Sequence, residues 1–176
     1  MPSNALPVVL VGMSGCGKSS IAAQLARKLN WHEIDLDRAI EDRAGCSIAE
    51  IFDYGGESSF RKIEYQVLIE TLDYQSFEHP IVIATGGGAF CQQEAHALLK
   101  QKTRSVWLKL DIDTIIERLT IHHRNNPGHR PFLRDETWRE NLRELYARRE
   151  PYYATADFTL TVDGLSCKKT TEALVE

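Results

Sequence analysis

No C-x-x-C pair occurs in the 176 residues. The four cysteines, Cys16, Cys46, Cys91 and Cys167, lie far apart, which speaks against a zinc site and for reduced thiols. No apolar run approaches the roughly 20 residues of a membrane helix, and Met1-Pro2-Ser3-Asn4 carries no basic targeting segment. A cytoplasmic protein is expected. Positive charge is not in excess either: 21 basic residues stand against 25 acidic ones, a net charge of −4, so neither nucleic acid nor a membrane surface is an expected partner. Internal repeats and low-complexity segments are missing, and no amphipathic surplus marks an interface, so a monomer is expected. The remaining composition, 43% hydrophobic and 26% charged, suits one compact domain over residues 1–176.

The most informative segment lies near the start. Gly12-Met13-Ser14-Gly15-Cys16-Gly17-Lys18-Ser19 fits G-x-x-x-x-G-K-[ST], a pattern that binds phosphate only between a strand and a helix. Both flanks are right. Val8-Val9-Leu10-Val11 is an apolar, β-branched run suited to a buried parallel strand, and Ile21, Ala22, Leu25, Ala26 and Leu29 recur at helical spacing until Asn30. Backbone N–H groups of such a loop curl around an anion, and the helix N-terminus adds partial positive charge. Lys18 is expected on the β- and γ-phosphates and the Ser19 hydroxyl on Mg²⁺.

Strand and helix signals alternate downstream. Strands are expected at Trp31–Leu36, Ile81–Ala84, Val106–Leu110 and Phe158–Val162. A helix from Asp37 should end at Gly45. Ser47-Ile48-Ala49-Glu50 has the capping-box form and opens a short helix to Gly55-Gly56, with a longer one from Glu57. Asp111 or Asp113 caps a further helix, residues 120–134 lack periodicity, and a helix from Asp135 stops at Pro151. The pattern predicts an α/β fold with a largely parallel sheet, whose strand ends form the binding crevice. Asp35-Leu36-Asp37 closes the second strand, so that two carboxylates at i and i+2 of an extended segment point the same way. One serves a metal and the other a substrate hydroxyl. The strand Ile81–Ala84 ends in uncharged Thr85, which leaves Asp35 as the carboxylate for the ion. Gly86-Gly87-Gly88 permits close ligand approach. Arg118, Arg124, Arg130 and Arg134 fall in a stretch without Asp or Glu, as in a lid that closes over a polyphosphate. The alternatives are a nucleotide switch or a dead binding module. Asp53-Tyr54-Gly55-Gly56 formally fits D-x-x-G, but it follows a helical turn and no N-K-x-D accompanies it.

In this order the blocks resemble the shikimate kinases, small P-loop kinases. Besides the phosphate loop and D-x-D, the resemblance rests on Ser47–Phe52, Gly56-Glu57, Phe60-Arg61-Lys62-Ile63-Glu64, the triple glycine, Arg130-Pro131-Phe132-Leu133 and Arg148–Tyr153. It implies a P-loop NTPase-type three-layer sandwich with a five-stranded parallel sheet in order 2-3-1-4-5 flanked by helices. A substrate-binding subdomain at about 35–64 and a mobile lid at about 120–134 belong to the same picture. The implied reaction is Mg²⁺-dependent transfer from ATP to the 3-hydroxyl of shikimate. Asp37, Lys18 and Arg130 would be catalytic. Gly12, Ser14, Gly15, Cys16, Gly17, Lys18, Ser19, Ser20, Arg118 and Arg130 would bind ATP, with Arg118 on the adenine. Asp37, Arg61, Gly86, Gly87, Gly88 and Arg149 would bind shikimate, the two arginines gripping its carboxylate. Ser19 and Asp35 would hold the metal. Another small-metabolite kinase on this scaffold, such as a gluconate kinase, is the alternative.

Overall fold

A five-stranded sheet in the order β2-β3-β1-β4-β5 organises the chain. Residues 5–73, 80–125 and 136–175 are described by this computed structural model. The strands are β1 (Val8–Val11), β2 (His32–Asp35), β3 (Ile81–Ala84), β4 (Arg104–Lys109) and β5 (Phe158–Thr161). All pairings are parallel, with Val9 opposite Ile83 on one side and Leu10 opposite Val106 on the other. Seven α-helices are described: α1 (Lys18–Leu29), α2 (Leu36–Ala44), α3 (Ile48–Asp73), α4 (Gln93–Lys102), α5 (Ile112–Asn125), α6 (Trp138–Tyr153) and α7 (Cys167–Ala173). β1 and β3 are buried along almost their whole length because helices cover both faces. This is the predicted sandwich, and it brings the carboxyl ends of β1, β2 and β3 side by side.

Local chemistry explains most boundaries. Asn30 ends α1 in the left-handed region at φ 57°, a conformation asparagine tolerates. The capping box forms as expected: the Glu50 carboxylate accepts from Ser47 N at 2.8 Å, and Ser47 Oγ accepts from Glu50 N. Gly56 (φ 65°, ψ −176°) breaks α3 between the short helix and the long one that were expected separately.

Four expectations change. The cap of α2 is Asp35, whose Oδ1 accepts from Asp37 N and Arg38 N at 3.1 and 3.3 Å. Asp37 therefore sits in the first helical turn, and the two carboxylates do not share an extended segment. β4 begins earlier, at Arg104, because Arg104 N donates to Pro7 O at 2.7 Å and extends the ladder with β1. Residues 120–125 are helical, continuing α5; Ile115, Ile116 and Leu119 bury its inner face, and the Thr120 hydroxyl donates to Ile116 O. The rest of the expected lid, Arg130 and Arg134 included, falls outside the described residues from position 126 to 135. Finally, α6 runs through Pro151 to Tyr153. Proline removes only the bond to Ala147, which is exposed and reaches water, while Ala154 N still donates to Glu150 O.

Candidate active site

The phosphate loop joins β1 to α1. Gly12 lies at φ 138°, and a methyl there would meet Leu108 O at 2.9 Å, so neither the backbone angle nor the space admits a side chain. Gly15 packs under Ile115 and Leu119 of α5. Half-buried Arg118, expected at the adenine, is the residue before that contact. Lys18 is 7% exposed, and its ammonium donates to Gly12 O and Met13 O, both at 2.9 Å, with Cys16 Sγ at 3.8 Å. Ser19 and Ser20 are exposed in the first turn of α1. A lysine curled onto loop carbonyls above a helix N-terminus leaves a cradle suited to phosphate oxygens.

Beside this cradle lies a cavity of about 520 Å³ lined from the phosphate loop itself, α2, α3, the triple-glycine loop and α6. The three glycines measure it out. A methyl at Gly86 would sit 2.7 Å from Asp37 Oδ1 and 3.3 Å from Glu64 Oε1. At Gly87 it would sit 3.1 Å from Ser14 N and Oγ. At Gly88 it would meet Arg61 Nη2 at 2.5 Å and Arg149 Nη2 at 3.0 Å. Asp37 therefore stands at one end, the phosphate loop at the middle and two guanidinium groups at the other, with the Glu64 carboxylate reaching from Arg61 toward Gly86. Two residues span at most about 7 Å, the length of a small ring acid. Ile48, Phe52, Phe60 and Leu145 form an apolar wall, with Phe52 and Phe60 rings 4.8 Å apart.

Arg61 is held from behind. Arg61 Nη1 donates to Glu64 Oε2 at 2.6 Å, and Arg61 Nη2 pairs with the exposed Glu57 at 3.1 Å. Burial pulls the Arg61 guanidinium down, but the two carboxylates outweigh it and its pKa is raised. Glu64 is only 1% exposed. Burial pushes its carboxyl up, opposed by Arg61 and reinforced by Asp37, so that it stands above the usual range. Its Oε1 has no hydrogen-bond partner among the described residues. Thr85, at the end of β3, donates its hydroxyl to Leu10 O at 3.0 Å.

The structure thus brings together Ser14, Asp37, Arg61, Gly86, Gly87, Gly88 and Arg149 in one cavity, with Lys18 in the adjoining loop. Arg130 lies outside the described residues. The sequence reading placed Phe52 and Glu64 in the expected substrate-binding segment without a role of their own, and assigned none to Met13, Trp138 or Leu142, which also line the cavity.

A model of a family described as shikimate kinase matches residues 14–176. A shikimate kinase from Xylella fastidiosa is 38% identical over 169 residues, covering 96% of this chain and 89% of that protein. The solved shikimate kinase from Acinetobacter baumannii, in complex with shikimate, superposes with a TM-score of 0.87 at 31% identity, covering 98% of this chain and 92% of that one. A gluconokinase from Sinorhizobium meliloti is more distant, at 14% identity and a TM-score of 0.58 over 94% and 87% of the two chains, and shares the fold alone. Spanning all but the first residues of the chain, and accompanied by the cavity geometry above, these similarities establish that this protein belongs to the shikimate kinase family.

Proposed function

We propose that the chain transfers the γ-phosphoryl group of ATP to the 3-hydroxyl of shikimate, with the acceptor in the 520 Å³ cavity. One observation carries the assignment. Arg61 and Arg149 converge on Gly88 while Asp37 reaches Gly86, with Ser14 of the phosphate loop between them. A carboxylate gripped at the arginine end places a ring hydroxyl at the carboxylate end, next to the donor. The lone Glu64 Oε1, turned toward Gly86, supports a hydroxylated ligand, which supplies the donor it lacks. Asp37 orients or deprotonates the attacking hydroxyl, and phosphoryl transfer otherwise rests on alignment and charge neutralisation.

Lys18 releases its two loop carbonyls to take phosphate oxygens, beside Gly12, Gly15, Cys16, Gly17 and Ser20. Arg118 serves the adenine. Arg130 is assigned the transferring group on the sequence motif alone. Ser19 and Asp35 would hold Mg²⁺. Ser19 is exposed in the first turn of α1 and Asp35 is half-buried at the end of β2, oxygen donors that suit a hard cation keeping water and phosphate as most of its ligands. Bound there, the ion neutralises charge on the phosphates. A substrate-binding unit at about 35–64 belongs to the same reading, as does a lid at about 120–134 whose first six residues are the end of α5; so do a cytoplasmic monomer and no nucleic-acid partner. The four free cysteines and the acidic net charge support it.

The test is a coupled ADP-release assay with ATP, Mg²⁺ and shikimate. Asp37→Asn should lower kcat by roughly 10²–10⁴ with KM for ATP unchanged. Near-normal turnover would remove Asp37 from its role, and no shikimate-dependent ADP release from the native chain would reject the function.

A further inference from the structure

The triple-glycine loop depends on a residue outside it. Gly86 O accepts from Ala89 N at 3.4 Å and Gly88 O from Cys91 N at 3.0 Å, so two of its carbonyls are satisfied by the turn itself. The middle carbonyl, Gly87 O, accepts instead from the hydroxyl of Tyr153, at the end of α6. That side chain is 0% exposed, with its ring 6.0 Å from Trp107. The same hydroxyl lies 3.5 Å from Met13 Sδ in the phosphate loop. One turn earlier on α6, Arg149 Nη1 lies 3.9 Å from that sulfur. Residues i and i+4 share a helix face, so α6 carries the clamp arginine and the loop's tether on one rigid edge.

We propose that Tyr153 is a positioning residue that sets the acceptor loop against the phosphate loop, so that a substrate gripped by Arg149 presents its hydroxyl in line with the donor. Tyr153 is buried and is not among the residues that line the cavity. Its effect passes through Gly87, whose neighbours Gly86 and Gly88 face Asp37 and the arginines, and through Met13, next to Ser14. Removing it leaves the Gly87 carbonyl without its donor inside the protein, and the loop re-seats to find another. Misplacement of reacting groups by about 1 Å costs on the order of 10² in rate. The proposal rests on the acceptor occupying this cavity, and its test separates the two.

Tyr153→Phe retains the ring and its packing. With shikimate and ATP its kcat should fall by about 10–100-fold, KM for shikimate should rise severalfold, and KM for ATP should stay within about twofold. A purely structural tyrosine would lower the melting temperature but leave kcat of the folded enzyme intact, and that result overturns the proposal. Amide hydrogen exchange of the ligand-free protein supplies a readout independent of the acceptor. The variant should exchange faster at Gly86–Gly88 and Met13–Ser14 while the strands keep their protection. Unchanged exchange at these positions also overturns the tether. Native protein that ignores shikimate, together with faster loop exchange in the variant, would reject the acceptor and keep the tether.

Discussion

Replacing Gly88 by alanine separates the clamp from the fold. The residue lies at φ −108°, ψ −14°, a conformation that alanine adopts without strain. The consequence is therefore one of space. The new methyl would stand 2.5 Å from Arg61 Nη2, 3.0 Å from Arg61 Cζ and 3.0 Å from Arg149 Nη2. Ordinary contact lies near 3.5 Å or beyond, so the Arg61 head group must retreat by roughly 1 Å. Both arginines are long side chains whose ends can swing. Stability should be preserved to within about 1 kcal/mol, or about 2–4 °C in melting temperature for a domain of this size. Binding is different. A charge-assisted hydrogen bond is worth about 1.5–3 kcal/mol, and losing one should raise KM for shikimate by about 10–100-fold. Steady-state kinetics varying each substrate in turn, alongside a thermal melt, form the assay. Gly86→Ala is the internal control. Its methyl would crowd Asp37 Oδ1 at 2.7 Å, so it should depress kcat more than KM. An equal rise in KM for both substrates with Gly88→Ala, or an acceptor KM within twofold of native, would refute the reasoning.

Two further outcomes follow from the charges. Glu64→Gln should raise the melting temperature near neutral pH while raising KM for shikimate severalfold. Burial lifts the Glu64 carboxyl above its unfolded value, so its contribution to stability is present at low pH and is lost as pH rises through the folded pKa. An amide removes that loss and also weakens the hold on Arg61, which keeps Glu57 at 3.1 Å; melts from pH 4 to 8 that run parallel for both proteins would disprove it. Asp157 carries the opposite sign. Its modest burial raises the carboxyl, but Lys100 at 2.5 Å and the Ser105 amide and hydroxyl at 2.8 and 2.7 Å bring it down to about 2. Its stabilisation is present above the unfolded value near 3.9 and is lost as pH falls toward about 2. Asp157→Asn should therefore flatten the acid side of the melting curve between pH 4 and 2, and an unaltered curve would show that solvent screening cancels the pair.

The architecture was legible because its signals are local and periodic. Buried strands such as Ile81–Ala84 read as continuous apolar runs, and the capping box at Ser47–Glu50 names its own helix end. The misreadings occurred where two local rules competed. Pro151 is a helix breaker by composition, yet in a last turn it removes a single bond to a residue that water reaches. The start of the expected lid was polar, yet 120–125 continue α5, because Ile115, Ile116 and Leu119 already commit its face to the core. The helix expected from Asp37 begins one residue sooner, because β2 ends at Asp35 and leaves that carboxylate to cap the next turn.

The site was legible to a different depth. The proposed ligand contacts were legible in two ways: Lys18, Asp37 and the glycines stand in motifs with recognisable chemistry, and Arg61 came from the resemblance alone. The residues that hold them in place were not. A glutamate three positions after an arginine is ordinary on any helix, where such pairs contribute only tenths of a kcal/mol. Glu64 matters because α3 turns it inward against Gly86, where the lost hydration of one carboxylate is set against the orientation of Arg61. A tyrosine near the end of an amphipathic helix is equally ordinary. Tyr153 matters because two loops more than 70 residues apart in sequence meet at its hydroxyl. Both roles are properties of what remains unsatisfied once the chain has folded: a carboxylate oxygen without a donor in one case, a loop carbonyl without a local partner in the other. Burial makes each such gap costly, so each fixes a neighbour's position more tightly than an exposed contact could, and it is through those neighbours that the fold sets the geometry of transfer.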